Sequence, residues 1–210
     1  MGRPKSNEEY RLLSFAAITR TALRLFVERG YRNTSVDDIA ADSRLTKGAV
    51  YYYFKTKEHL LLSILSEIET NWVEQVIPRL SRAGSTPTER LATFATFDAA
   101  WAKERPDELM LLIMMSIEFA NSESEIKKRI ESIYAKTAAA LEHIVEEGKK
   151  SGEFTAEMPS RDIALFFMSA HDGNMLQWYR SDKDPEIGYI LARAYRRAIL
   201  RIVGAQEVRV

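Results

Sequence analysis

Between Thr46 and Lys57 the chain reads TKGAVYYYFKTK, which sets three lysines and five hydroxyls around the small pair Gly48 and Ala49. Lysine ammoniums neutralise phosphates, and tyrosine hydroxyls donate to phosphate oxygens, so these groups can fix a protein on a nucleic-acid backbone without reading sequence. Gly48 and Ala49 would let a helix end come close to base edges. The N-terminal end of a recognition helix is where bases are met in the major groove. Taken alone, the YYYF run reads more simply as core, because aromatic side chains usually are. Catalytic chemistry finds less support. His59, His143 and His171 are far apart in the chain, and no Gly-x-Ser-x-Gly, Walker A or HExxH pattern occurs. His171 and Asp172 are neighbours, but successive side chains on a helix point about 100° apart. A satisfied core histidine or a polar pocket group is the better reading, and no enzyme is expected. Without cysteine there is no disulfide framework and no thiolate metal site. Neither a metal nor a cofactor is implied.

Two short helices must position these groups. Thr34 and Ser35 are good N-caps, and Ser35 with Asp38 approximates a capping box with Asp in place of Glu. Val36, Ile39 and Ala40 then fall at i, i+3 and i+4, which gives the first helix one buried face. Ser43-Arg44-Leu45 is the turn, and a second helix follows from about Thr46 to Phe54. Val50 and Phe54, four apart, point inward and leave Lys47, Ala49, Tyr51 and Tyr53 elsewhere around the axis. A left-handed Arg44 in that turn would cost about 1 kcal/mol relative to glycine.

Helix punctuation continues along the chain. Ser6 with Glu9 opens a first helix that runs to Arg29, where Gly30 suits a C-cap. Thr56 caps a helix toward Pro78, and Thr86-Pro87 with Glu89 opens one that stops before Pro106. Further helices span about Asp107 to Phe119, Ser122 with Glu125 to Gly152, Ser160 to Tyr179, and Pro185 to Gly204. These make an all-α protein of about nine helices. Its expected division is a DNA-binding helix-turn-helix domain at 1–60, joined through the helix 57–78 to a body at 61–210. The formal net charge is zero, but residues 1–60 carry 11 basic against 7 acidic residues and the remainder 19 against 23. The basic excess therefore sits at the DNA-binding end, with Arg3-Pro4-Lys5 as a basic arm for the minor groove or phosphates. No apolar stretch approaches the ~18 residues of a membrane span, and MGRPKSNEEY has no apolar signal region. A cytoplasmic protein without membrane contact is expected.

In the body, Leu109 to Ile117 is apolar nearly all round, and Phe167, Met168, His171, Met175 and Trp178 share one face of the penultimate helix. Methionines and aromatic rings line adaptable cavities, but the same pattern is plain core packing, and the residues themselves leave both open. The last two helices carry apolar residues on more than one face, which leaves one face for a partner.

The segment from Thr34 to Leu62 resembles the DNA-binding domain of the TetR family of bacterial repressors. It supplies the family's hydroxyl pair Thr34-Ser35, Ile39-Ala40, Thr46-Lys47-Gly48, the run Tyr51-Tyr52-Tyr53-Phe54, and Lys57-Glu58-His59-Leu60. The preceding helix also fits, with Ile18, Ala22 and Phe26 spaced by four. Where the family has Ala-Gly-Val in the turn, this chain has Ser43-Arg44-Leu45. The stretches SIEFANSESEIKKRI and EEGKKSGEF are similar to the acyl-CoA-responsive fatty-acid repressors within the family.

The resemblance implies DNA contacts from Thr34, Ser35, Thr46, Lys47, Gly48, Ala49, Tyr51, Tyr52, Tyr53 and Lys57. It implies an inducer pocket drawn from Ile68, Trp72, Trp101, Met110, Ile113, Met114, Ile117, Phe167, His171, Met175 and Trp178. It further implies a homodimer joined through Phe166, Ile190, Leu191, Ala194, Ala198 and Ile202. Its partners would be a palindromic double-stranded operator, with half-sites ~34 Å or a multiple apart, and a small hydrophobic or amphipathic inducer. The competing expectation is an architectural or constitutive DNA binder without a ligand.

Overall fold

Side-chain caps decide where the helices begin. Ser35 accepts from the Asp38 amide while the Asp38 carboxylate accepts from the Ser35 amide, a complete capping box. Thr86 and Glu89 form a second, with Pro87 at the first helical position. Thr56 Oγ1 accepts from the His59 amide at 3.0 Å, and Asp184 accepts from the amides of Glu186 and Ile187. The computed structural model describes residues 7–82 and 84–205. The Arg3-Pro4-Lys5 arm and the Ser6 cap lie outside the described residues.

The helices are α1 (Asn7–Arg29), α2 (Val36–Asp42), α3 (Lys47–Tyr53), α4 (Lys57–Ile68), a π-helical turn (Glu69–Val73), α5 (Glu74–Leu80), α6 (Pro87–Glu104), α7 (Pro106–Glu118), α8 (Glu125–Lys150), α9 (Ser160–Arg180) and α10 (Pro185–Ile202). The backbone is helical without interruption from Lys57 to Leu80. The described residues thus form nine rods and no strand, the all-α architecture expected. Two details differ from the sequence reading. Pro78 lies inside α5 rather than ending it. The cap of α8 is Ser124, whose Oγ accepts from the Lys127 amide at 3.2 Å, while Ser122 donates to the Phe119 carbonyl.

Two compact units divide the chain, Met1–Ile68 with Met110–Ile130, and Glu69–Leu109 with Glu131–Val210. The boundary after Ile68 falls where the π turn begins. In the first unit, Ile18, Ala22, Leu25, Phe26, Ile39, Val50, Phe54 and Leu60 form the core. This unit does not coincide with 1–60, because the end of α7 packs into it. Tyr31 contacts Phe26 and Phe119 edge to face, at ring separations of 5.2 and 5.5 Å, and Arg32 pairs with Glu118 at 3.2 Å.

The second unit packs α5 on α6 and both α6 and α9 on α10. Its core includes Leu91, Phe94, Leu141, Ile144, Phe167, Ile199 and Val203. Gly148 lets α8 meet Phe154, since a Cβ at that position would lie 2.1 Å from the ring.

Candidate functional site

The helix pair α2 and α3 is built from the inside. Ile39, Ala40, Val50 and Phe54 are buried, and Phe54 and Tyr53 pack on Phe15 of α1 at ring separations of 5.1 and 6.3 Å. Arg44 sits in the left-handed region at φ 58°, as the turn requires. Its amide donates to the Ala41 carbonyl, and that of Leu45 to the Ala40 carbonyl.

The outward side of α3 presents what a groove-reading helix needs. Thr46, Lys47, Gly48, Tyr51 and Tyr52 are exposed, with Tyr52 at 69 %, and Ala49 is half-buried. Thr46 spends its side chain as the N-cap, accepting from the Ala49 amide at 3.1 Å. Lys47 pairs with Asp37 at 2.9 Å in solvent, an exposed pairing that phosphate can displace at small cost. Ser35 is exposed at the start of α2, although its hydroxyl serves the capping box.

Two residues implied as DNA contacts hold the fold instead. Thr34 is fully buried, and its hydroxyl donates toward the Leu25 and Gly30 carbonyls at 3.2 and 2.9 Å. Lys57 points its Nζ at the turn after α1, donating to the carbonyls of Tyr31 and Thr34, each at 2.8 Å, and lies 4.3 Å from the centre of the Tyr31 ring. Partial burial lowers its pKa from the usual lysine value. Both side chains satisfy carbonyls where the chain turns from α1 into α2. Tyr53, half-buried against Phe15, also has its ring inward.

In the second unit, α6, α9 and α10 line a partly open cavity of about 440 Å³. Its walls are mostly apolar, with Ala95, Ala99, Ala100, Ala102, Met175, Leu191 and Ala192 beside the rings of Trp178, Tyr189 and Tyr195, and its polar groups are Asp98, His171, Asn174 and Lys103. Asp98 and His171 are buried, with His171 Nε2 at 3.0 Å from Asp98 Oδ1 and its Nδ1 at 3.0 Å from Asp172 Oδ1. Burial pushes the imidazole toward neutrality, but the flanking carboxylates outweigh it and raise the pKa to about 10. The hydroxyl of Tyr134 lies 3.4 Å from Asp172. The opposite face of the imidazole stacks on Trp72, in the π turn, at 6.1 Å and 22°.

Of the residues expected to line a pocket, His171, Met175 and Trp178 meet here. Phe167, Trp72 and Trp101 are buried in the same unit without lining the cavity. Ile68, Met110, Ile113, Met114 and Ile117 belong to the first unit. There Ile117 is 71 % exposed, so it forms no pocket wall, because it stands on the outward side of α7. Leu191, expected at a dimer interface, lines the cavity instead. Sequence reading passed over Asp98, Tyr189 and Tyr195. Asp98 did leave a trace, as an acid one turn from Phe94, Ala95 and Trp101 on the buried side of α6.

The exposed side of α9 and α10 carries an apolar row beside the exposed Arg193, Arg196, Arg197 and Arg201. Leu165 and Phe166 are each 50 % exposed and Ile190 is 42 %, with Ala194 and Ala198 continuing the exposed row and Ile202 half-buried. Tyr195, Ile199 and Val203 occupy the inner side of the same region.

An exposed helix-turn-helix followed by an all-helical body that holds a cavity is the architecture of a bacterial transcriptional regulator. Residues 18–64 match the model of the bacterial regulatory proteins of the tetR family, and residues 107–186 that of the tetracyclin repressor-like C-terminal domain. The crystal structure of the MbdR regulator from Azoarcus sp. CIB superposes with a TM-score of 0.81 at 34 % identity, over 93 % of this chain and 100 % of that one. The chain belongs to the TetR family and is a DNA-binding transcription regulator. The fatty acid metabolism regulator protein of Bacillus subtilis (strain 168) is 24 % identical over 169 residues, 80 % of this chain and 85 % of that protein. The transcriptional regulator FadR from Bacillus subtilis, solved in complex with stearoyl-CoA, shares the fold with a TM-score of 0.72 at 22 % identity, over 92 % of this chain and 100 % of that one. Among the described residues no helix is long and apolar enough to cross a membrane.

Proposed function

We propose that this protein is a cytoplasmic, ligand-responsive repressor that binds a palindromic operator as a homodimer and is released by a small amphipathic inducer. The observation that carries the reading is a cavity whose polar groups are wired to the helix that continues from the DNA-binding unit. Trp72 of the π turn lies on the imidazole of His171, and His171 is clamped by Asp98 in the cavity wall. A π turn is a strained interruption of helical hydrogen bonding that often marks functional sites. Here it falls at the junction of α4 with α5, and the helical backbone runs through it from Lys57 to Leu80.

DNA contact rests on Thr46, Lys47, Gly48, Ala49, Tyr51 and Tyr52, with Ser35 at the start of α2. The exposed row Phe166, Ile190, Ala194 and Ala198 suits a second copy of the chain, whose twofold axis would give the operator its palindromic form. The cavity serves binding rather than catalysis. A ligand acts by preferring one conformation, and it shifts the equilibrium only by its differential affinity for the two states.

The test is thermodynamic reciprocity. The inducer is taken from cell extract by co-purification and mass spectrometry, and the operator by selection from random DNA. Operator must weaken inducer binding by the factor by which inducer weakens operator binding. Equal ligand affinity with and without DNA refutes the reading. Coating of arbitrary DNA, without a preference of about 10³ for one palindrome, would make the protein architectural instead.

A further inference from the structure

The charges gathered at His171 do not cancel, although only Asp98 and His171 of the three groups line the cavity and Asp172 flanks the imidazole from outside the lining. His171 lies 3.0 Å from one carboxylate on each ring nitrogen, so an imidazolium is shared by Asp98 and Asp172 and one negative charge is left over. The hydroxyls nearby do not make up the difference. Tyr195 donates to the Phe167 carbonyl at 3.0 Å, and Tyr134 stands at 3.4 Å from Asp172 rather than at Asp98. Asp98 Oδ1 and His171 Nε2 are both shut off from solvent and, although close, are not aligned as a hydrogen bond. Asp98 thus places a buried carboxylate, paired at 3.0 Å with His171 through Oδ1, in the wall of the cavity. Lys103, the remaining charged residue of the wall, is exposed to solvent.

Apolar area and ring faces complete the site. Small alanines of α6 and α10 leave room for a tail, and Trp178 is held in place by donating to the Asp184 carbonyl at 2.9 Å. Gly188 admits that indole, since a Cβ there would stand 2.9 Å from Trp178 Nε1. Aromatic faces with a buried carboxylate attract a desolvated cation, and the same carboxylate repels an anion. We infer that this cavity, on the inducer reading above, takes a compact amphipathic amine, its alkyl or aryl tail among Ala95, Ala99 and Ala192 beside Trp178, and its ammonium at Asp98. A cavity of about 440 Å³ suits a small-molecule ligand.

The experiment compares three probes with one tail and different heads, 4-phenylbutylamine, 4-phenylbutanol and 4-phenylbutyrate, by calorimetry on the full chain. The amine should bind at least ~10-fold more tightly than either of the others, the scale of one desolvated charge pair. Asp98→Asn, confirmed as folded by its melting curve, should bring the three within ~3-fold of one another. Ala192→Phe, which fills the tail region, should abolish binding of all three. Should Asp98→Asn fail to fold, the wild-type series and Ala192→Phe decide. An alcohol or carboxylate that binds as tightly as the amine overturns the inference, as does an amine preference that survives in Asp98→Asn or in Ala192→Phe. Absence of binding by every probe overturns it too. A gel shift with operator separates the two readings. Amine binding with the stated preference but no operator release supports this inference and refutes induction, whereas release driven best by the carboxylate refutes this inference and leaves induction standing.

Discussion

Lys57 is the residue on which the structure and the motif reading diverge most, and replacing it separates them. As a phosphate contact, Lys57→Ala would weaken binding to every DNA sequence and lower the salt slope of log K by about 0.9 per protomer, one counterion's worth from each half-site. In the structure its ammonium donates to the carbonyls of Tyr31 and Thr34 at 2.8 Å and lies over the Tyr31 ring. Hydrogen bonds to a charged group contribute about 1.5–3 kcal/mol each when buried. Partial exposure and the desolvation that lowers the lysine pKa reduce two such bonds to a net of about 2 kcal/mol. For a chain of this size that corresponds to a fall in Tm of about 4–8 °C. Lys57→Ala should therefore melt earlier by that amount and keep the wild-type salt slope within about 0.3, whereas Lys47→Ala should lower the slope by about 0.9 per protomer at nearly unchanged Tm. Thermal melts and operator titrations from 50 to 200 mM salt measure both quantities. A Lys57→Ala protein with wild-type Tm and a salt slope reduced by about 0.9 per protomer would refute the bracing role.

Other substitutions test other parts of the argument. Arg44→Gly removes a non-glycine residue from φ 58° and should raise Tm by about 2 °C, a net gain of 0.5–1 kcal/mol after the extra unfolded-state freedom of glycine; an unchanged or lower Tm would show the turn to be unstrained. Gly148→Ala drives a methyl to 2.1 Å from the Phe154 ring and should destabilise by about 1–3 kcal/mol, read from urea melts; a neutral result would mean that Phe154 has another seat. His171 carries a pKa raised from 6.5 to about 10 in the folded chain. Its contribution to stability is thus complete below pH 6.5 and is lost as pH rises through 10, at a limiting slope of about 1.4 kcal/mol per pH unit. His171→Gln should flatten that part of the stability profile, and an unaltered profile would place the titration elsewhere.

Much of the architecture was legible because local chemistry fixes it. The capping boxes at Ser35 and Thr86, Pro87 and Pro185 at first helical positions, and glycines with positive φ at Gly30, Gly152 and Gly204 all act within a few residues of themselves. Such signals survive any tertiary arrangement. The recognition surface was legible for the same reason, since the 3.6-residue period alone turns Val50 and Phe54 inward and leaves Lys47, Tyr51 and Tyr52 outside. A left-handed Arg44 was suggested only by the glycine that the resembled family carries in that turn, and the structure puts it at φ 58°.

Tertiary structure alone decided what each polar side chain does once the helices pack. Thr34 and Lys57 match a DNA-contact motif, but both meet backbone carbonyls that only the return of the chain after α1 brings near. The pocket is a sharper case. Met110, Ile113 and Met114 look like cavity walls by composition, yet the cavity in the second unit lies where Asp98, His171 and Tyr195 converge from three helices. Those residues are separated by 73 and 24 positions in the chain, a distance over which helical periodicity carries no information. Sequence therefore determined the helices, their caps and the outward face of α3, because those depend on neighbours in the chain. Packing determined which charges are buried together and where space remains, because those depend on neighbours in space.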